Sequence, residues 1–219
     1  PDSKRVVYTS FRTGRYGLYW KPADGSGPEE QLTSSENQHF AGPWSPDGRA
    51  MVFNEVAPTG AGTHFFVLPL EGDRKPRPLR QTKFDENFPA LSPDGRWLAY
   101  TSSETGRPEI YVQAYPEPGA RVQVSAGGGR MPVWAAGGRE LYFRSGDKMM
   151  VVPIETKPGF KAGAPRVLFE GRYWEAGHDY DVSPDGQRFY FIQQGPAPAQ
   201  IHVIQNWAEE LNRRVPAGG

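Results

Sequence analysis

"WSPDGRAMVF", Trp44 to Phe53, is the stretch that decides the fold, because the chain repeats it. "LSPDGRWLAY" runs from Leu91 to Tyr100 and "VSPDGQRFYF" from Val182 to Phe191. "WAAGGRELYF", Trp134 to Phe143, keeps the frame without its Ser-Pro-Asp, and "PDSKRVVYTS", Pro1 to Ser10, carries only the second half. The physical content of Ser-Pro-Asp-Gly is local. Pro sets φ at the second turn position, Ser or Asp bonds nearby backbone, and Gly accepts the left-handed conformation that leads into the next strand. Each copy is therefore a tight hairpin.

Pro1, Pro46, Pro93, Gly137 and Pro184 recur at steps of 45, 47, 44 and 47 residues. A period near 45 residues is that of a propeller blade of four strands. Between the turns lie "RAMVF", "HFFVLPL", "RWLAY", "EIYVQAY", "ELYF", "MMVVPI", "RFYF" and "QIHVIQ", which alternate with period two and not 3.6. The expected fold is all-β: a β-propeller of about five four-stranded units with the first and last incomplete. The units fall at 1–40, 41–86, 87–130, 131–176 and 177–205. The first starts inside its hairpin and lacks an inner strand, so a longer native chain continuing upstream is expected. The last lacks an outer strand. After it, "NWAEELNRRVP" reads as a short C-terminal helix over 206–214, with Asn206 as N-cap, Glu209 at the third helical position, and Trp207 and Leu211 packed on the last unit.

Composition bounds the partners. With 25 basic and 25 acidic side chains the chain has no net charge to track nucleic acid or an anionic membrane. No apolar run reaches the length of a membrane span, so no membrane insertion by this segment is expected. The absence of cysteine removes disulfides, thiolate nucleophiles and cysteine zinc sites together, and leaves the compartment open. Many Gly and Pro beside abundant Trp, Tyr and Phe describe short packed strands joined by turns, not disorder.

The units "PWSPDGRAMVF…FFVLPLEGD" and "PALSPDGRWLAYTSSETGRPEIYVQAYPEPG" resemble the TolB-type, WD-like β-propeller repeats, where a Ser-Pro-Asp-Gly hairpin is followed by an "IYV" strand. With "LYWKPADGSGPEEQLT", "LPLEGDRKPRPLRQT", "EGRYWEAG…YDVSPDGQRFYFI" and "IHVIQNWAEELNRRVP", the resemblance covers essentially the whole chain. It is to the C-terminal part of TolB-like domains attached to bacterial Ser/Thr protein kinases. No glycine-rich phosphate loop, Val-Ala-Ile-Lys or His-Arg-Asp is present. The resemblance implies a sensing or protein-binding module of a larger bacterial protein, in a periplasmic or extracytoplasmic setting. It says more about fold than about function, because one scaffold carries unrelated roles.

Propeller function sits at the channel mouth, on the loops that enter each inner strand. There the sequence places Glu36, Asn37, His39, Asp85, Glu86, Asn87, Arg130, Glu175, His178 and Asp179, with Trp174 as an aromatic platform. The leading expectation is a non-enzymatic propeller binding a protein, peptide or small ligand through Glu36, Asn37, His39, Asp85, Asn87, Arg130, Trp174 and His178. The alternative is a glycosidase-like hydrolase, with Glu86 and Glu175 or Asp179 as acid and base at the roughly 5 to 9.5 Å separation such chemistry requires. A serine hydrolase lacks its Gly-x-Ser-x-Gly elbow, and Ser45, Ser92 and Ser183 repeat as turn residues. His39, His64, His178 and His202 have no second ligand at metal spacing, so neither metal nor cofactor is expected. The basic run Arg74 to Lys83 lacks interleaved aromatics and reads as a solvated rim. Open blade edges at the two ends offer a route to self-association.

Overall fold

The structure, a computed structural model, describes residues 2–56, 62–117, 119–173, 177–193 and 200–205. Five antiparallel sheets follow one another along the chain. The first holds β1 (Arg5–Ser10), β2 (Gly17–Pro22) and β3 (Glu30–Gln31). The second holds β4 (Gln38–Trp44), β5 (Ala50–Val56), β6 (Thr63–Pro69) and β7 (Arg77–Arg80). The third holds β8 (Glu86–Leu91), β9 (Trp97–Ser102), β10 (Glu109–Ala114) and β11 (Arg121–Gln123). In the fourth, β12 (Arg130–Trp134), β13 (Glu140–Ser145) and β14 (Lys148–Glu155) are followed by two short strands, β15 (Lys161–Ala162) and β16 (Arg166–Glu170), both paired with β14. The fifth holds β17 (Tyr180–Val182), β18 (Arg188–Gln193) and β19 (Gln200–Gln205). Among the described residues the first and fifth sheets have three strands each, against four or more in the other three. Among the described residues there is no helix; the expected C-terminal helix, 206–214, lies outside them.

The repeated turn closes as its chemistry requires. The Ser45 hydroxyl donates to Asp47 at 2.6 Å and accepts from the Ala50 amide at 2.9 Å, while Asp47 accepts from the Arg49 amide. Ser92 with Asp94 and Ser183 with Asp185 repeat the arrangement. Gly48, Gly95, Gly138 and Gly186 all have φ between 65° and 72°, the left-handed conformation only glycine adopts cheaply. Successive hairpins also touch: a Cβ on Gly95 would sit 3.2 Å from the Pro46 ring. The fourth turn corrects the spacing read from sequence. Gly138 donates to the Ala135 carbonyl as Gly48 does to that of Ser45, so Ala136, not Gly137, stands at the proline position.

Alternation then sorts each strand into two faces. Met51 and Phe53 point back to the first sheet, packing with Leu18, Trp20 and Leu32; Val52 points forward to Leu98 and Tyr100 of the third. The same alternation recurs at the next two interfaces, where Ala99 meets Leu141 and Phe143, and Tyr142 meets Phe189 and Phe191. Five sheets are therefore joined by four hydrophobic clusters. Among the described residues, no fifth cluster joins the first sheet to the last.

A polar bond accompanies each interface at one repeated position near the end of the second strand. The Thr9 hydroxyl donates to the His39 carbonyl at 2.7 Å, and the Asn54 amide to the Glu86 carbonyl at 2.9 Å. The Thr101 hydroxyl accepts from the Met131 amide at 3.2 Å, and Arg144 donates to the Asp179 carboxylate at 3.2 Å. Each bond ties the second strand of one unit to the inner strand of the next, or to the residue just before it.

Candidate functional site

The inner strands β4, β8, β12 and β17 line a cavity of about 700 Å³, together with Tyr190, Phe191 and Ile192 of β18. Pro43, Pro89 and Pro132 face it. Proline is at home there, because an innermost strand is a sheet edge and its missing N–H breaks no ladder bond. Each of the three strands also carries a register shift, between Ala41 and Trp44, Asn87 and Ala90, and Arg130 and Val133. At two of them a non-glycine residue is left-handed, Phe88 with φ 55° and Met131 with φ 56°. Such bulges re-aim side chains where a strand would otherwise present them by strict alternation.

Phe88 is the residue that sequence reasoning missed. Its ring meets His178 edge to face at 5.2 Å between centroids, and the Arg130 guanidinium stands 5.9 Å from its centre. Asn87, half-buried, precedes it in β8. The only signal in the sequence was the pairing "NFP" and "RMP" at equivalent places before the turn. Arg130 is exposed and, among the described residues, its contact is with the Phe88 ring and not with a carboxylate. His178 opens to solvent from a crevice, and burial of the ring lowers its pKa against the opposing charge of Asp181.

The remaining sequence candidates are divided by the structure. Glu36 is exposed and pairs with Arg15 at 3.3 Å, and Asn37 donates its amide to Ser35; both lie on the rim and not in the cavity wall. Asp85 is exposed and donates its amide to Ser103. His39 is not a mouth side chain: it is buried inside β4, its Nδ1 2.8 Å from the Thr33 hydroxyl and its Nε2 2.9 Å from Glu55. Glu86 is wholly buried between the second and third sheets, receiving the Arg80 Nε at 2.6 Å, and burial raises its pKa against that partner. Asp179 lines the cavity but is buried behind Arg144. Trp174 and Glu175 lie outside the described residues. The basic run is partly absorbed into packing, with Arg74 on Glu30 and Trp20 and Arg80 on Glu86. Among the described residues, no three His, Asp or Glu side chains are grouped to hold a metal ion.

Five successive antiparallel sheets around a proline-lined channel define a β-propeller. The chain belongs to the TolB beta propeller domain family, PD40, whose model matches residues 1–176. It is similar to an uncharacterized protein of Agrobacterium fabrum, 27% identical over 193 residues that make up 84% of this chain and 64% of that protein. Among solved structures it resembles TolB from Acinetobacter baumannii, with a TM-score of 0.77 and 21% identity over 94% of this chain and 50% of that one. A putative TolB from Agrobacterium tumefaciens gives a TM-score of 0.62 and 19% identity over 93% of this chain and 72% of the other. The chain thus spans 64% of the Agrobacterium fabrum relative and half of the Acinetobacter TolB. Likeness at these structural identities speaks to fold alone.

Proposed function

We propose that this propeller is a non-enzymatic binding module that takes an extended peptide segment of a protein partner at the channel mouth, with Arg130, Phe88, His178 and Asn87 as the contact group. The observation that carries the reading is the cavity itself. Proline and aromatic walls suit an apolar chain, and Arg130, linked to the cavity wall through Phe88 and His178 and without a carboxylate partner among the described residues, suits a carboxylate on it. The hydrolase alternative has less support, since Glu86 and Asp179, two carboxylates it would use, are each buried against an arginine. An acid and base need access to substrate before their pKa values matter. Attachment to a bacterial kinase-linked signalling chain is part of the same proposal and rests on resemblance.

Selection of phage-displayed peptides on the purified protein, with counter-selection on Arg130→Glu, tests the reading. Enrichment of peptides with an acidic residue, lost on the variant, is expected. Turnover of chromogenic glycosides that disappears in Glu86→Gln or Asp179→Asn variants that remain folded would overturn it.

A further inference from the structure

The fourth hairpin is the copy of the repeat that has lost its side chains, and the loss coincides with a cavity. Gly137 stands where the other hairpins carry Asp47, Asp94 and Asp185. In the third sheet that aspartate neutralises the arginine two residues on, Asp94 pairing with Arg96 at 2.9 Å. Arg139 occupies the place of Arg96, is exposed and, among the described residues, pairs with no carboxylate. Nothing steric demands the glycine: a Cβ on Gly137 would meet no atom within 4 Å, and its φ is not left-handed.

A second exchange opens the same place. One backbone bond fixes which residue closes each hairpin from the third strand: the amides of Leu70, Tyr115 and Ile154 donate to the carbonyls of Arg49, Arg96 and Arg139 at 2.8, 2.9 and 2.7 Å. Tyr115 packs its ring on the cluster between the second and third sheets; burial, and then the charge of Asp47 in the preceding hairpin, push its pKa up. Ile154 has no ring and stops in the cluster between the third and fourth sheets. Beyond it lies a cavity of about 600 Å³ walled by Pro93, Asp94, Arg139, Ile154, Glu155 and Lys157. The cavity sits at the hairpin ends of β8 and β12, away from the mouth, and shares only Pro93 with the channel cavity. Both sheets that wall it have four strands or more among the described residues.

We infer that this cavity binds a small aromatic carboxylate, its ring in the place that Tyr115 fills one interface earlier and its carboxylate on Arg139 and Lys157. Pro93 and Ile154 supply the apolar half. Asp94 is already satisfied by Arg96 and by the Ser92 hydroxyl at 2.6 Å. Arg139, Lys157 and Glu155 are exposed and, among the described residues, form no ion pair, so two cations face one carboxylate. A guanidinium fork matches the two oxygens of a carboxylate, and a cavity of this size is that of a small-molecule site. Glu155 sets the charge of the ligand, because it repels a second negative charge and so favours a carboxylate over a phosphate dianion. The inference is independent of what the channel mouth binds.

The probe is phenylpropionate, a phenyl ring on a short carboxylate, titrated into the whole chain while backbone amide shifts are followed by NMR. Saturable shifts at Gly137, Gly138 and Lys157 are expected, and none from the neutral phenylpropionamide. Gly137→Asp returns the carboxylate of the repeat to the side of Arg139, in open space, and is expected to raise Kd about tenfold or more. Gly137→Asn, equal in size and uncharged, is expected to stay within about twofold of wild type. An equal Kd in Gly137→Asp and wild type, or equal binding of the amide, would overturn the inference. So would tighter binding of phenyl phosphate than of phenylpropionate, or the absence of saturable shifts at these amides up to about 10 mM probe.

Discussion

Replacing Arg144 with Met tests how the fourth and fifth sheets are held and whether Asp179 is a structural or a reacting carboxylate. Arg144 and Asp179 are respectively 3% and 0% exposed at the side chain, and Arg144 also donates to the Gly146 carbonyl at 2.9 Å. Removing the cation leaves a buried carboxylate short of its compensating charge, a loss of about 3 to 5 kcal/mol. For a domain of this size each kcal/mol moves Tm by about 2 to 4 °C, so a fall of roughly 6 to 20 °C is expected. The double variant Arg144→Met/Asp179→Leu removes the charge along with its partner and recovers most of that loss, because a buried pair contributes little more than the apolar contacts that replace it. Thermal melts of the single and double variants, combined as a double-mutant cycle, give the coupling directly. A change below about 1 kcal/mol in Arg144→Met would refute the reasoning. The pair would then not be what holds the two sheets together, and a role for Asp179 as a catalytic group would reopen.

Other consequences are smaller but as definite. Gly95→Ala combines left-handed strain of about 1 to 2 kcal/mol with a 3.2 Å approach to Pro46, whereas Gly72→Ala at φ 72° meets open space. Urea denaturation is expected to rank Gly95→Ala as the more damaging; equal losses would mean that the hairpins do not support one another. The raised pKa of Glu86 means that burial disfavours its ionised form in the folded chain. Its contribution is complete below the ordinary carboxylate range and declines as pH rises through the folded value. The stability of wild type relative to Glu86→Gln should therefore fall across that window in melts at stepped pH, and a rise would contradict the assignment. Asp47 and Asp185 behave oppositely. Hydrogen bonds from Ser45 and Ser183 lower their pKa values, so the stability they add is present at neutral pH and is lost on acidification below the ordinary aspartate range. Asn substitutions at both should flatten the acid limb of a melting curve series.

The blades were legible because Ser-Pro-Asp-Gly closes through bonds among residues at most five apart. Its spacing survives even where Ala135 and Ala136 have replaced Ser and Pro, although the loss of those side chains blurred the frame by one residue. Strand alternation likewise puts Phe53, Tyr100, Phe143 and Phe191 at equivalent positions, all of them buried. The site was less legible for a reason that is physical and not statistical. His39, Glu86 and Asp179 look like mouth residues in a linear reading, and what buries them is remote: Thr33 and Glu55, Arg80, and Arg144, presented by other strands. Arg130 and His178 were singled out because they lie at blade entrances, but the ring that stands between them was not. Phe88 reaches them through a left-handed bulge, and no propensity argues for φ 55° at phenylalanine.

Binding at the mouth is the central claim, and an anisotropy titration of one selected, fluorescently labelled peptide against wild type and Arg130→Glu tests it most directly. Loss of a charge-assisted hydrogen bond is worth about 1.5 to 3 kcal/mol, so Kd should rise by roughly 10- to 100-fold while the melting temperature stays unchanged. An identical Kd in the two proteins would place the peptide elsewhere and contradict the account.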